Sequence, residues 1–186
     1  MIYLFLADGF EEIEAVAPTD ILRRAGAQLQ TVGVGGIHVT GSHGIEVTAN
    51  LGTDGLVLGD SLDMVILPGG KRGTENLGKS ARVKEAVRFC VDHGKRVSAI
   101  CAAPSILGHM GLLKGFSATC YPGYEKELGA ESVSKDPVCV SGPFITARGA
   151  GVAVDFALKI VEVLYGREKS RKIRENIQCV KETSGN

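Results

Sequence analysis

The stretch Val97-Ser98-Ala99-Ile100-Cys101-Ala102-Ala103-Pro104-Ser105 decides the fold of this chain. Its apolar run is typical of a buried strand, and the proline suits the first turn of a helix, where its missing N–H costs nothing. We therefore expect Cys101 on a strand-to-helix elbow, beside free backbone N–H groups and the positive end of a helix dipole. This setting predicts a thiolate with a lowered pKa, and a buried structural cysteine is the competing interpretation.

Strands and helices alternate on both sides of this stretch. Apolar runs predict strands at Ile2–Ala7, Leu29–Val34, Met64–Leu67 and Phe144–Ala147, with shorter ones at 37–39, 45–48, 117–121 and 138–140. Strands that are apolar throughout and alternate with helices indicate a mostly parallel sheet that is covered on both faces. The predicted fold class is therefore α/β, with a single doubly wound sheet and helices on both faces.

Helical periodicity accounts for the segments between the strands. It predicts a first helix that carries Phe10, Ile13, Ala17 and Ile21 on one face. Pro18 lies inside this helix and should kink it or split it in two. Further helices are expected at 80–94, 104–107 and 154–164, and in a last charged segment with Ile173, Ile177 and Val180 on one stripe.

The composition limits the size and the partners of the protein. With 186 residues, of which 44% are hydrophobic and 23% charged, we expect one domain over 1–186. The formal net charge of zero argues against binding nucleic acids or anionic membranes by bulk electrostatics. No apolar run reaches transmembrane length, and the N-terminus lacks the basic region of a signal peptide, so we expect a cytoplasmic protein.

The cysteines and histidines indicate no metal centre. The five cysteines are widely spaced and form no CxxC pair, which argues against a zinc site and against a redox-active dithiol. Reduced thiols in a reducing compartment fit this pattern. His38, His93 and His109 have no ligand spacing between them. We therefore expect neither a metal nor another cofactor.

Three loops at the carboxyl ends of the predicted strands, at 8–14, 68–74 and 101–104, carry the chemically marked residues. Parallel α/β sheets bind ligands at these ends. The acidic residues Glu11 and Glu12 are explained by a helix N-terminus and solvation alone. Glu14 shares the strand-end face with the Cys101 elbow. There its carboxyl group would repel a thiolate when ionised, but would donate a hydrogen bond when protonated.

Gly69 and Gly70 follow the predicted strand at Met64–Leu67 and admit two interpretations. They are ordinary turn residues, or their loop directs a backbone N–H at the anion that forms when a thiolate attacks a carbonyl. The N–H of Ala102 would be the partner of that donor. In the second interpretation, Cys101 is the nucleophile and these backbone groups stabilise the oxyanion.

Four segments resemble the DJ-1 (ThiJ/PfpI) family, in order and at similar spacing over nearly the whole chain. They are Asp8-Gly9-Phe10-Glu11-Glu12-Ile13-Glu14, Leu67-Pro68-Gly69-Gly70, Ala99-Ile100-Cys101-Ala102-Ala103-Pro104 and Ala147-Arg148-Gly149-Ala150-Gly151. The most similar branch is that of the Parkinson-disease-associated deglycase and its bacterial relatives. The resemblance implies a flavodoxin-like, class I glutamine amidotransferase-like fold that forms a homodimer. It also implies a strained nucleophile at Cys101, a protonated Glu14, and backbone donors at Gly70 and Ala102.

The chain departs from the family pattern at three positions. Many members carry a histidine where this chain has Tyr121, and the protease-like branch has one directly after the cysteine, where this chain has Ala102. Without these histidines we do not expect peptidase activity. A family segment similar to 41–44 usually has arginine at the position of His43. This residue is either a pH-dependent cation near the dimer interface and the mouth of the site, or a surface histidine without a role.

The resemblance implies a cofactor-independent enzyme that acts on small dicarbonyl compounds such as methylglyoxal, or on their adducts. Cys101 would add to the aldehyde, Glu14 would move protons, and hydrolysis would release a hydroxy acid. The alternative is a redox-sensing, chaperone-like stress protein in which Cys101 is oxidised to a sulfinate. A glutamine amidotransferase would need a Cys–His–Glu triad, which cannot be assembled from this sequence.

Overall fold

The computed structural model describes residues 1–179, in which strands and helices alternate. The strands are β1 (Ile2–Ala7), β2 (Leu29–Val34), β3 (His38–Thr40), β4 (Glu46–Thr48), β5 (Leu51–Gly52), β6 (Met64–Leu67), β7 (Arg96–Ile100), β8 (Ser117–Ala118), β9 (Ser132–Val133), β10 (Val138–Ser141) and β11 (Phe144–Ala147). The helices are α1 (Glu12–Arg24), α2 (Lys71–Lys79), α3 (Ala81–Asp92), α4 (Pro104–His109), α5 (Ala153–Tyr165) and α6 (Arg167–Asn176). None of these helices is long and apolar enough to span a membrane.

Seven strands form the central sheet, in the order β10-β11-β7-β6-β1-β2-β5. Every pairing is parallel except that of β10 with β11. The strand that carries the Cys101 elbow, β7, lies between β6 and β11. This arrangement confirms the predicted α/β class with a mostly parallel sheet. The pairs β3–β4 and β8–β9 form two small separate sheets.

Both faces of the central sheet are buried, and alternate residues of a strand enter different cores. In β1, Tyr3 and Phe5 pack with α2, α3 and α4, whereas Ile2, Leu4 and Leu6 pack with α1, α5 and α6. A strand that is buried on both faces must be apolar throughout, which is the pattern that predicted it. The two layers of helices hold the strand ends in fixed positions, and the candidate site lies at their carboxyl edge.

Helix α1 differs from its prediction in two ways. It is one continuous helix although it contains Pro18, because residues on both sides of the proline, such as Ala15 and Leu22, pack into the same core. The face that is buried also differs. Ile13 is 54% exposed, whereas Glu12 and Glu14 are buried, so the predicted apolar stripe through Ile13 is wrong.

Two further segments differ from their predictions. The loop expected at 68–74 is shorter than predicted, because it ends at Gly70 and α2 follows from Lys71. The sequence of α2 did not predict a helix, since it contains two glycines and only one apolar residue, Leu77, and therefore has no apolar stripe. The strand expected at 117–121 is limited to β8, because the next N–H, that of Thr119, donates to the side-chain hydroxyl of Thr146 instead of to a backbone carbonyl. The last charged segment forms α6, and Val180 lies outside the described residues.

Candidate active site

Cys101 directly follows β7 and has a left-handed backbone conformation, with φ at +66°. Its N–H donates to the carbonyl oxygen of Ala147 at 2.9 Å, and its own carbonyl accepts from the N–H of Tyr121 at 2.8 Å. Helix α4 starts three residues later at Pro104. The elbow is therefore where the sequence predicts it. A non-glycine residue in this conformation stores about 1–3 kcal/mol of strain, which the neighbouring strand and loop must hold.

The three predicted loops meet at this elbow. The N–H of Gly69 donates to Oε2 of Glu14 at 2.8 Å, and the N–H of Glu11 donates to the carbonyl oxygen of Gly69 at 3.0 Å. The carboxyl group of Glu14 also interacts with the thiol of Cys101. Glu14, Gly69, Gly70, Cys101 and Ala102 thus come together at one point.

Gly69 and Gly70 are required by space and by backbone conformation. A Cβ atom at position 69 would lie 2.6 Å from Cβ of Cys101 and 2.6 Å from Oε2 of Glu14, so no side chain fits there. Gly70 has a positive φ of +84°, and a Cβ atom on it would overlap the carbonyl oxygen of Gly9. The two glycines therefore allow the backbone to approach the thiol and the carboxyl group closely.

Glu14 is completely buried, although it lies in the first turn of a helix. Burial raises the pKa of its carboxyl group to about 7, against the opposing effects of the Gly69 N–H and the Cys101 thiol. Its Oε1 atom has no hydrogen-bond partner within residues 1–179. A buried carboxylate oxygen without a partner is costly, which favours the protonated form near neutral pH.

The pKa of the Cys101 thiol corrects a sequence-based expectation. The helix N-terminus predicted a lowered pKa, but burial and the adjacent charge of Glu14 raise it to about 12. The backbone N–H groups of Gly70 and Ala102 act in the opposite direction and are outweighed. Because the ionisation of Glu14 opposes that of Cys101, the two groups titrate as a pair. Between the first and the second ionisation they hold one proton between them.

Glu12 is not the solvated helix-terminal residue that the sequence suggested. It is 7% exposed, and its Oε1 accepts from the backbone N–H of His43 at 2.7 Å while its Oε2 lies 3.0 Å from Nδ1 of His43. Burial alone would raise the pKa of Glu12, but the hydrogen bonds from His43 and Ser42 lower it to about 2. A Cβ atom on Gly41 would overlap the Glu12 carboxylate, so the loop needs glycine there. Glu12 therefore fastens the β3–β4 hairpin to α1.

His43 takes part in this contact, and its pKa is raised by the hydrogen bond to Glu12 and by the charges of Glu11 and Glu12. Its side chain is 70% exposed. Possible metal-ligating atoms of Glu11, Glu12 and His43 lie within 4.8 Å of one another, a grouping that ligand spacing in the sequence did not indicate. Both oxygens of Glu12 already accept hydrogen bonds from the hairpin loop, so we assign the group a structural role.

The side chain of Tyr121 is half exposed. Its ring lies beside Gly149, close to the sulfur of Cys101. The four histidines have partners elsewhere: His38 pairs with Glu46, His43 with Glu12, His93 with Phe89 and His109 with Glu127. The site therefore contains the thiol, the carboxyl group and backbone donors, with the ring of Tyr121 nearby.

Sequence reasoning missed two residues. Glu12 was assigned to solvent because its partners, Ser42 and His43, are about thirty positions away and no local pattern connects them. Gly149 lies in one of the segments that resemble the family, and the residue pattern predicts no role for it. It stands two residues after β11, the sheet neighbour of β7, and this position is what could have indicated a place beside Cys101.

The comparisons with known proteins agree with this architecture. The profile of the DJ-1/PfpI family matches residues 1–163. The protein dj-1beta of Drosophila melanogaster is 36% identical over 177 residues, which cover 94% of each chain. The solved structure titled "Toxoplasma gondii DJ-1, oxidized" superposes with a TM-score of 0.91 at 35% identity, covering 95% of this chain and 97% of that one.

A third relative has an activity in its name. The glutathione-independent glyoxalase DJR-1.2 of Caenorhabditis elegans is 32% identical over 165 residues, which cover 88% of this chain and 87% of that protein. The fold is that of an α/β protein with a mostly parallel sheet, in which Cys101 lies on the turn between β7 and α4. The chain belongs to the DJ-1/PfpI family.

Replacement of Glu14 by glutamine tests its raised pKa. Because folding raises this pKa from 4.5 to about 7, the stabilising contribution of the group is complete below pH 4.5 and is lost as the pH rises through about 7. The free energy of unfolding of the wild type, relative to Glu14→Gln, should fall by about 3 kcal/mol between about pH 4 and about pH 8. Urea unfolding followed by circular dichroism measures this difference, and a difference that does not depend on pH would contradict the assignment.

Replacement of Glu12 by glutamine tests the hairpin contact. At neutral pH we expect a loss of about 1–3 kcal/mol of unfolding free energy, because the partly buried N–H group of His43 loses a charged acceptor. Because folding lowers the pKa of Glu12, its carboxylate stabilises the protein above pH 4.5, and this contribution is lost as the pH falls toward about 2. The difference in unfolding free energy between the wild type and Glu12→Gln should therefore shrink on acidification. Glu131→Gln, at an exposed position, is the matched control. An equal loss of unfolding free energy in Glu12→Gln and Glu131→Gln would contradict a stabilising contact at Glu12.

Proposed function

We propose that this protein is a cysteine-dependent, cofactor-independent enzyme of the glyoxalase or deglycase type, which acts on methylglyoxal-like dicarbonyls or their adducts. The observation that carries the proposal is the contact between Cys101, on a strained elbow, and the fully buried Glu14, whose pKa is raised to about 7. A group that titrates near neutral pH can both give and accept a proton under physiological conditions. The N–H groups of Gly70 and Ala102 supply neighbouring donors.

The reaction begins with transfer of the shared proton onto Glu14, which leaves Cys101 as the thiolate. The sulfur attacks the aldehyde carbon of methylglyoxal, forming a C–S bond as the C=O double bond opens. The oxygen that becomes negative is stabilised by the N–H groups of Gly70 and Ala102, and takes the proton from Glu14. The product of this step is a hemithioacetal on Cys101.

Glu14, now a carboxylate, then removes the hydrogen from the carbon that was the aldehyde and passes it to the ketone oxygen, which gives an enediol. Glu14 next takes the proton of the hydroxyl group on the sulfur-bearing carbon and delivers it to the neighbouring carbon, which yields a thioester of lactate on Cys101. Water hydrolyses this thioester, releasing lactate and restoring the thiol. The net reaction adds one water to methylglyoxal and needs no external oxidant or cofactor. The name of the Caenorhabditis elegans relative, a glutathione-independent glyoxalase, supports this class of activity.

Turnover of methylglyoxal by the purified protein tests the proposal. Lactate formation should be abolished in Cys101→Ser and reduced about 10²–10⁴-fold in Glu14→Gln, because an amide can donate a hydrogen bond but cannot carry a proton between atoms. Cys179→Ser, which changes a partly exposed thiol outside the site, is the control and should match the wild type. Lactate formation by Cys101→Ser at the wild-type rate would refute the mechanism.

A second candidate function is redox sensing through oxidation of Cys101 to a sulfinate. It is favoured by the donors around the sulfur, since the N–H groups of Gly70 and Ala102 and a protonated Glu14 can bind sulfinate oxygens. Cys120, the next cysteine along the chain after Cys101, is buried and interacts with the N–H of Tyr124. A resolving disulfide to Cys120 is therefore not expected.

Mild peroxide should add two oxygens to Cys101. Intact-protein mass spectrometry with peptide mapping measures the gain, which should be absent from Cys101→Ser and unchanged in Cys120→Ser. Loss of two hydrogens that is abolished equally by both substitutions would instead indicate a disulfide and a thiol-peroxidase-like cycle.

We also propose that the protein is a homodimer in a reducing, cytoplasmic setting, which its five free cysteines suit. Three large apolar side chains on α1 and the adjacent hairpin loop are more than half exposed, namely Ile13, Val16 and Ile45. Light scattering in the micromolar range should give a dimer for the wild type and a monomer for Val16→Glu. Val57→Glu, at another exposed apolar position, should remain dimeric. A monomeric wild type would disprove the proposal.

A further inference from the structure

A small cavity lies beside α1 and the β3–β4 hairpin, apart from the candidate active site, since neither Cys101 nor Glu14 lines it. Its volume of about 190 Å³ is below the roughly 300–1,000 Å³ of pockets that hold drug-sized ligands. The cavity therefore has room for a ligand of only a few heavy atoms. Its lining is half apolar and half polar, with Leu6, Phe10, Ala15, Val16 and Val47 in the first group and Thr19, Arg23, Thr31, Thr48 and Asn50 in the second.

The charge of this cavity comes from Arg23, the only charged residue among those of 1–179 that line it. Within the same residues its guanidinium forms no ion pair. It donates to Oδ1 of Asn50 at 2.8 Å and, over a longer distance of 3.4 Å, to the carbonyl oxygen of Leu29. The neighbouring Arg24, by contrast, pairs with Asp20 at 2.7 Å. The positive charge of Arg23 therefore lacks a carboxylate partner, and a bound anion would supply one.

Asn50 holds the guanidinium in a fixed position. Besides the bond from Arg23, its Oδ1 accepts from the N–H of Thr31 at 3.0 Å and from the Thr31 hydroxyl at 3.1 Å. Thr31 is buried, and its hydroxyl oxygen accepts in turn from the N–H of Asn50 at 3.0 Å. In the part of the chain that the structure describes, the side-chain NH₂ of Asn50 and the other N–H groups of Arg23 have no partner. They are donors that need little ordering when a ligand binds.

We propose that this cavity binds a short-chain aliphatic monocarboxylate. The carboxylate accepts hydrogen bonds from Arg23 and Asn50, and the alkyl chain packs against Leu6, Phe10 and Val47. An inorganic anion would leave the apolar part of the lining without a partner, and a neutral apolar molecule would leave the donors unused. The site is separate from the Cys101 chemistry and stands or fails independently of it.

The first test is a titration of the ¹⁵N-labelled wild type with butyrate, followed by NMR. Because the ligand has so few heavy atoms, we expect a dissociation constant in about the millimolar range, with saturable shifts of the backbone N–H signals of Thr48 and Asn50. Butyramide has the same shape without the charge, and inorganic phosphate has charge without an alkyl chain. Each should bind at least about tenfold more weakly. No saturable shift with butyrate at these residues, or equal affinity for butyrate and either control compound, overturns the proposal.

The second test removes the cation. Arg23→Gln should weaken butyrate binding by about tenfold or more, because the ligand loses its charged donor. Arg23 is exposed, so the substitution leaves the core intact. Arg24→Gln is the matched control on the same helix and should bind butyrate as the wild type does, since Arg24 does not line the cavity. Equal dissociation constants for butyrate in Arg23→Gln and Arg24→Gln contradict the proposed site.

Discussion

Glu14 and Cys101 lie side by side in a buried space that disfavours two negative charges. Burial raises the pKa of Glu14 to about 7, and burial together with the Glu14 charge raises that of Cys101 to about 12. Between about pH 7 and about pH 12 the pair therefore holds one proton. Whichever atom holds that proton, the other carries the charge, and the N–H groups of Gly69, Gly70 and Ala102 are placed to stabilise it. Both candidate activities, carbonyl addition and oxidation of the sulfur, draw on this arrangement.

The central sheet brings the pair together. Adjacent parallel strands β1, β6 and β7 end at the same edge, and the segments after them supply Glu14, Gly69 and Cys101. Gly69 has no room for a side chain, and the left-handed conformation of Cys101 is held by hydrogen bonds to Ala147 and Tyr121. The strain at Cys101 is thus maintained by backbone hydrogen bonds to two neighbouring segments.

Much of this architecture was predictable from local patterns. Apolar runs and the proline after Cys101 identified the sheet, the elbow and the three loops, because strand burial and helix initiation leave signals within a few residues. Other features depend on distant partners. The burial of Glu12 follows from a loop about thirty residues away, and the continuity of α1 through Pro18 follows from core packing on both sides of the proline. The pKa of Cys101 could not be predicted, because it depends on how completely the thiol is buried and on its distance from Glu14.

The shared proton is tested most directly by the pH profile of Cys101 alkylation. In the wild type, the rate constant for iodoacetamide should rise through a first step near pH 7, when the pair releases its first proton and part of the population becomes thiolate. In Glu14→Gln this step should be absent, since the thiol then titrates alone. Profiles that coincide in the two proteins would contradict the coupling of Glu14 and Cys101, and with it the mechanism proposed for the site.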